Sequence, residues 1–106
     1  MTQNQIDTDK LQNAAYLAKS LSDGNRLRIL LYISRGRKSV SEIVNELNLS
    51  QPLVSHHLKE LKRTLLVEVE CQGPFVCYQI ADSRILETIN ALSTIADDLL
   101  ATRKNF

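Results

Sequence analysis

Ser39 to Arg63 reads SVSEIVNELNLSQPLVSHHLKELKR. Ser39 and Glu42 have the spacing of a capping box. Val40, Ile43, Val44 and Leu47 follow at i, i+3, i+4 and i+7, one apolar face of a short helix. Asn48-Leu49 leaves room only for a tight turn. Ser50 then caps a second helix, with Pro52 tolerated in its first turn and Val54, Leu58 and Leu61 directed inward. Two capped helices with so short a connection predict a helix-turn-helix. Gln51, Pro52, Ser55, His56, Lys59, Lys62 and Arg63 are left on the outer face. Their amide, hydroxyl and cationic groups are the kind that DNA base edges and phosphates accept, with Gln able to pair with adenine and the lysines supplying charge.

The flanks extend this reading. Upstream, Asp9 and Gln12 can box a helix in which Leu11, Ala14, Ala15, Ala18 and Leu21 recur at helical spacing. Asp23 caps the next helix, with Leu27, Leu30, Leu31 and Ser34 on one side and Gly36 as a C-terminal cap. Downstream of Leu65 the period changes to two: Val67, Val69 and Cys71, then Val76, Tyr78 and Ile80, alternate with polar residues around Gly73-Pro74, a β-hairpin. Asp82 or Ser83 caps a last helix whose Ile85, Ile89, Leu92, Ala96 and Leu99, widened by Leu86, Ile95 and Leu100, make a stripe too broad for one small domain to cover. The expected fold is mainly α with a small β-hairpin, a winged helix-turn-helix that dimerises through its first and last helices. Residues 1–8 and 103–106 are expected to be tails around a single domain at 9–102.

At 106 residues and 43% hydrophobic, the chain fits one domain. Its net charge of +1 conceals segregation: residues 24–63 carry eight Lys or Arg against three Glu, while the stretches before and after are net acidic. A basic middle between acidic ends suits one surface for a polyanion and another for protein. No membrane-length apolar run or secretory signal is present, so a cytoplasmic protein is expected. No carboxylate pair, Ser/His/Asp set or phosphate loop stands at workable spacing, which argues against an enzyme and against a cofactor. The alternative from another class is a winged-helix module that binds only an acidic protein partner.

Two phrases go further. LSDGNRLRIL at 21–30 and LSQPLVSHHLKELK at 49–62 resemble the corresponding phrases of the ArsR/SmtB winged-helix repressors, and the likeness runs from about residue 11 to residue 100. The resemblance implies a homodimer that binds an inverted-repeat operator and is released by a metal or other inducer. It places Gln51, Pro52, Ser55 and His56 at base-reading positions and Lys59 and Lys62 against phosphates.

The family's metal sites are not matched. Its thiolate phrase near the helix-turn-helix is replaced by SVSEIVNEL, which has no cysteine. The terminal-helix positions hold Asp82, Arg84, Ile95 and Asp98, two oxygen donors of four with a cation among them. His56 and His57 are about 100° apart on a helix and cannot grip one ion, so His57 is expected to be a half-buried packing residue. Keeping the hairpin's apolar sets on one face requires an even loop, which turns Cys71 inward and Cys77 outward and separates the two thiols. The inducer expected is therefore an unidentified organic ligand between the helices, or a redox event at Cys77, with Cys71 the second candidate thiol, or none. Two departures stand out. The wing, 64–83, lacks Lys and Arg but holds Glu68 and Glu70, which puts its DNA contacts in doubt and leaves Phe75 at its tip to meet sugar or a partner. Leu65 occupies the family's glycine position, where a left-handed cap would cost roughly 1–2 kcal/mol, so a different helix ending is the alternative.

Overall fold

In the computed structural model residues 7–103 are described. Their order is α1 (Thr8–Ser20), α2 (Gly24–Ile33), β1 (Lys38–Ser39), α3 (Val40–Leu47), α4 (Gln51–Arg63), β2 (Val67–Gln72), β3 (Phe75–Ile80) and α5 (Arg84–Ala101). The winged helix-turn-helix is as expected. Residues 1–6 and 104–106 of the anticipated tails lie outside the described residues.

The core forms where α2, α3 and α4 cross. Ile29, Leu30 and Ile33 of α2 meet Ile43 of α3 and Val54, Leu58 and Leu61 of α4, with Leu66, Val67 and Ile89 closing the edge. On α2 the buried side differs from the leucine stripe anticipated: Ile29 and Ile33 flank Leu30, while Leu31 is turned to solvent at 39% exposure. Helix starts also shift. Asp7, not the Asp9–Gln12 box, caps α1 by accepting the Asp9 N–H at 2.9 Å, so Thr8 is already helical. Gly36 lies beyond the end of α2, which stops at Ile33, and takes φ 143° in the turn toward β1.

The sheet has one strand more than the sequence suggests. β1 pairs antiparallel with β3 (Lys38 opposite Tyr78, Ser39 opposite Cys77), giving the order β1-β3-β2. In the hairpin Val67 faces Ile80, Val69 faces Tyr78 and Gln72 faces Phe75, so the loop is the even pair Gly73-Pro74, with Gly73 at φ 60°. The faces follow the expected register but the cysteine burial is reversed. Cys71 is exposed and Cys77 half-buried. Cys71 and its cross-strand partner Val76, near the hairpin's tip, are both exposed, while Cys77 sits in the central strand between β1 and β2.

The helix end at Leu65 is settled as well. Leu65 takes φ 66°, its N–H reaches Lys62 O at 3.0 Å, and Leu66 N–H reaches Leu61 O at 2.9 Å. This is a Schellman cap with leucine where glycine is favoured.

α1 and α5 stand away from this body. Among the described residues only Ser20 of α1 and Ile89 of α5 are buried. The radius of gyration is 16.2 Å against about 13 Å for a compact chain of this length.

Candidate nucleic-acid interface

The reading head is built by caps and one turn. Ser39 Oγ accepts the Glu42 N–H at 3.2 Å and Glu42 Oε1 accepts the Ser39 N–H at 2.9 Å, so both halves of the capping box form. That backbone donor holds the Glu42 carboxyl below its usual range. α3 ends at Asn48, whose φ of 54° gives the left-handed step that Asn tolerates. Ser50 Oγ then accepts the Leu53 N–H at 3.3 Å, and α4 begins with Pro52 in its first turn.

α4 divides cleanly by face. Val54, Leu58 and Leu61 are fully buried, as expected. Gln51, Pro52, Ser55, His56, Lys59, Lys62 and Arg63 are all exposed. At about 100° per residue, Ser55, Lys59, Pro52, Arg63 and His56 fan across the outer side, with Gln51 and Lys62 at one margin. Lys59 and Lys62 make no ion pair among the described residues, which leaves both ammonium groups available to an anion. Arg63 is different. Its guanidinium pairs with Glu60 and donates to Tyr16 Oη at 3.3 Å, which draws it toward α1 and away from the other outer residues.

His57 is buried at 4% exposure rather than half-buried, and it is more than packing. Its Nδ1 accepts from Arg26 Nε at 3.2 Å, which places the ring proton on Nε2, 3.8 Å from Asp23 Oδ1. Desolvation pushes its pKa below the usual histidine value, against the pull of Asp23. Asp23 also caps α2 through the Asn25 and Arg26 N–H groups, and the Arg26 N–H is the largest cause of its lowered pKa. The recognition helix is thereby keyed to the start of α2. The partners stand 31 residues apart, so no local spacing announces them. Arg28 is a second unanticipated contributor, donating to Leu47 O at 2.9 Å and fixing the end of α3.

The wing's acidity is partly answered within the protein. Arg37 forms an ion pair with Glu70, and Glu68 accepts from Gln79 Nε2 at 3.2 Å. Phe75 is exposed at the tip. At the head of α5, Arg84 clamps both oxygens of Asp82 and lowers its pKa to about 2, while Asp82 Oδ1 also accepts the Arg84 N–H at 2.8 Å. Among the described residues no three His, Cys, Asp or Glu are grouped so as to hold a metal ion. No helix among them is long and apolar enough to cross a membrane.

Comparison with known proteins agrees with this architecture. The sequence model of the bacterial regulatory protein, arsR family, matches residues 23–69. An uncharacterized HTH-type transcriptional regulator of Methanocaldococcus jannaschii is 35% identical over 88 residues, 82% of this chain and 99% of the relative. The HTH-type transcriptional repressor SmtB of Mycobacterium tuberculosis is 33% identical, with 85% of this chain and 67% of SmtB aligned. Among solved structures, the homodimeric winged helix-turn-helix DNA-binding domain of a possible ArsR-family regulator from Mycobacterium bovis superposes with a TM-score of 0.76 at 28% identity, covering 89% of each chain.

Proposed function

Because the chain belongs to the arsR family of bacterial regulatory proteins and is a DNA-binding transcriptional regulator, we propose that it represses from an inverted-repeat operator, inserting α4 of each protomer into successive major grooves about 34 Å apart. Gln51, Pro52, Ser55 and His56 read base edges, and Lys59 and Lys62 hold phosphates. The observation that carries this is the outer face of α4, where every one of these side chains is exposed and both lysines are unpaired among the described residues. Arg63, the remaining outer cation, keeps spare N–H donors but is drawn toward α1 by Tyr16, so it is assigned a lesser part in the DNA contact. The homodimer forms through α1 and α5, whose Leu11, Leu17, Leu92, Ile95, Leu99 and Leu100 present an apolar surface to solvent in a single chain. An apolar groove of about 530 Å³ between these helices, lined by Leu17, Leu21, Leu65 and Ile85, continues that surface. A regulator of this kind acts where the DNA is, in the cytoplasm, and its role needs no catalysis.

Operator titrations at several salt concentrations test the reading. Lys59→Ala weakens binding to every sequence and lowers the salt slope by about one per protomer. Gln51→Ala and His56→Ala instead relax discrimination at particular base pairs, by about 1–3 kcal/mol each. A footprint and salt slope untouched by all three substitutions refutes the assignment.

A further inference from the structure

On the side of α4 turned toward α1 lies a second cavity, of about 380 Å³, a size common for small-molecule sites. Lys19 of α1, Arg26 of α2 and Arg63 of α4 line it, with Glu60 as its one carboxylate. Donors remain in hand. Arg63 uses Nη1 on Tyr16 and Nη2 on Glu60, and Arg26 uses Nε on His57 and Nη1 on Ser20 O. Each guanidinium has five N–H donors, so both keep N–H groups for a ligand. Tyr16 Oη accepts from Arg63 and still has its own proton to give, and Lys19 makes no ion pair among the described residues. Cations outnumbering acids around a concavity, with donors unspent, match an oxyanion.

A DNA phosphate is the less fitting source. Helix α4 is 13 residues long, about 20 Å, and its N-terminal end is the one that enters a groove. The Arg63 guanidinium is drawn toward α1 by Tyr16, and Thr64 is buried against Ser20 of α1. The cavity also occupies a joint: Ser20 Oγ meets Thr64 Oγ1 at 3.0 Å, one of few ties between the α1 arm and the body.

We infer that this cavity binds a small oxyanion, an organic phosphate or polycarboxylate, and that the bound anion, gripping α1 and α4 together, changes operator affinity by altering the angle between dimer arm and reading head. Its second half rests on the DNA-binding reading above; anion binding itself does not. An anion can shift affinity only by preferring one arm angle over another, so the effect is reciprocal with DNA.

Calorimetric titration of the 106-residue chain without DNA, using inorganic phosphate, glycerol phosphate and citrate at constant ionic strength, is the direct test. Saturable binding is expected, with Kd on the order of 1 mM or tighter, weakened roughly tenfold by Lys19→Gln or Arg63→Gln. Lys19 is exposed on α1, so its variant keeps the test valid should Arg63→Gln disturb folding. The ligand that binds is then expected to shift operator affinity of the unsubstituted protein and not of Lys19→Gln. Absence of saturable binding, or equal binding by both variants and the parent, overturns the site. Binding with no change at the operator overturns the coupling. Lys19→Gln weakening all DNA as strongly as Lys59→Ala, with no anion present, assigns the cavity to the DNA backbone and overturns the proposal.

Discussion

Leu65 holds a positive φ of 66° with its side chain 79% exposed, so its backbone carries a penalty that no burial within the chain offsets. Glycine removes that penalty of about 1–2 kcal/mol but gains freedom in the unfolded chain. Leu65→Gly is therefore expected to stabilise the fold by a net ~0.5–1 kcal/mol, read as a higher urea midpoint at constant m. A lowered midpoint contradicts it. His57 gives a pH signature. Its folded-state pKa lies below 6.5, so the unfolded chain binds the extra proton; stability falls as pH drops from 7 through 6.5 and levels off once the folded imidazole also protonates. The slope in that window is at most about 1.4 kcal/mol per pH unit, and His57→Gln flattens it. Asp23, with a lowered pKa, adds a further loss below about pH 4. Residues such as Ser39, Ser50 and Val54 were legible because caps and periods are local. The Arg26–His57 bond was not, since only the crossing of two helices creates it.

At the scale of elements, the helices and the hairpin register follow from spacing, and the departures come from tertiary context. A two-residue strand has no period to detect, so β1 is defined only by its partner, 38 to 40 residues downstream at Cys77 and Tyr78. Alternation likewise fixed which face Cys71 occupies but not its burial, because that depends on what lies against the hairpin's tip. The cap of α4 offers a discriminating experiment. Ser50→Ala is expected to cost about 1 kcal/mol of stability and to weaken operator binding by loosening the first turn of the reading helix. Ser50→Asp restores the cap and the stability, yet still binds DNA poorly because its carboxylate faces phosphate. Equal recovery of both properties would separate Ser50 from the interface.

For the whole molecule, the segregated charge and the broad stripe on α5 were both legible, and the extended shape shows why the stripe is left uncovered. A chain measuring 54 × 38 × 21 Å leaves Leu92, Ile95 and Leu99 at 50%, 52% and 62% exposure, an apolar ridge that a second copy can cover. Ile95→Asp is expected to convert a species of twice 12.0 kDa into one of 12.0 kDa in sedimentation, and to weaken operator binding about 10²- to 10⁴-fold because two readers are no longer linked. An unchanged sedimentation coefficient counts against this interface.

Ser39 pairs with Cys77 in the sheet and also caps α3. One residue thus ties the sheet to the first helix of the helix-turn-helix. An operator with altered half-site phasing is then expected to be met by bending the duplex or by flexing between protomers, not by sliding the wing's central strand against the start of α3.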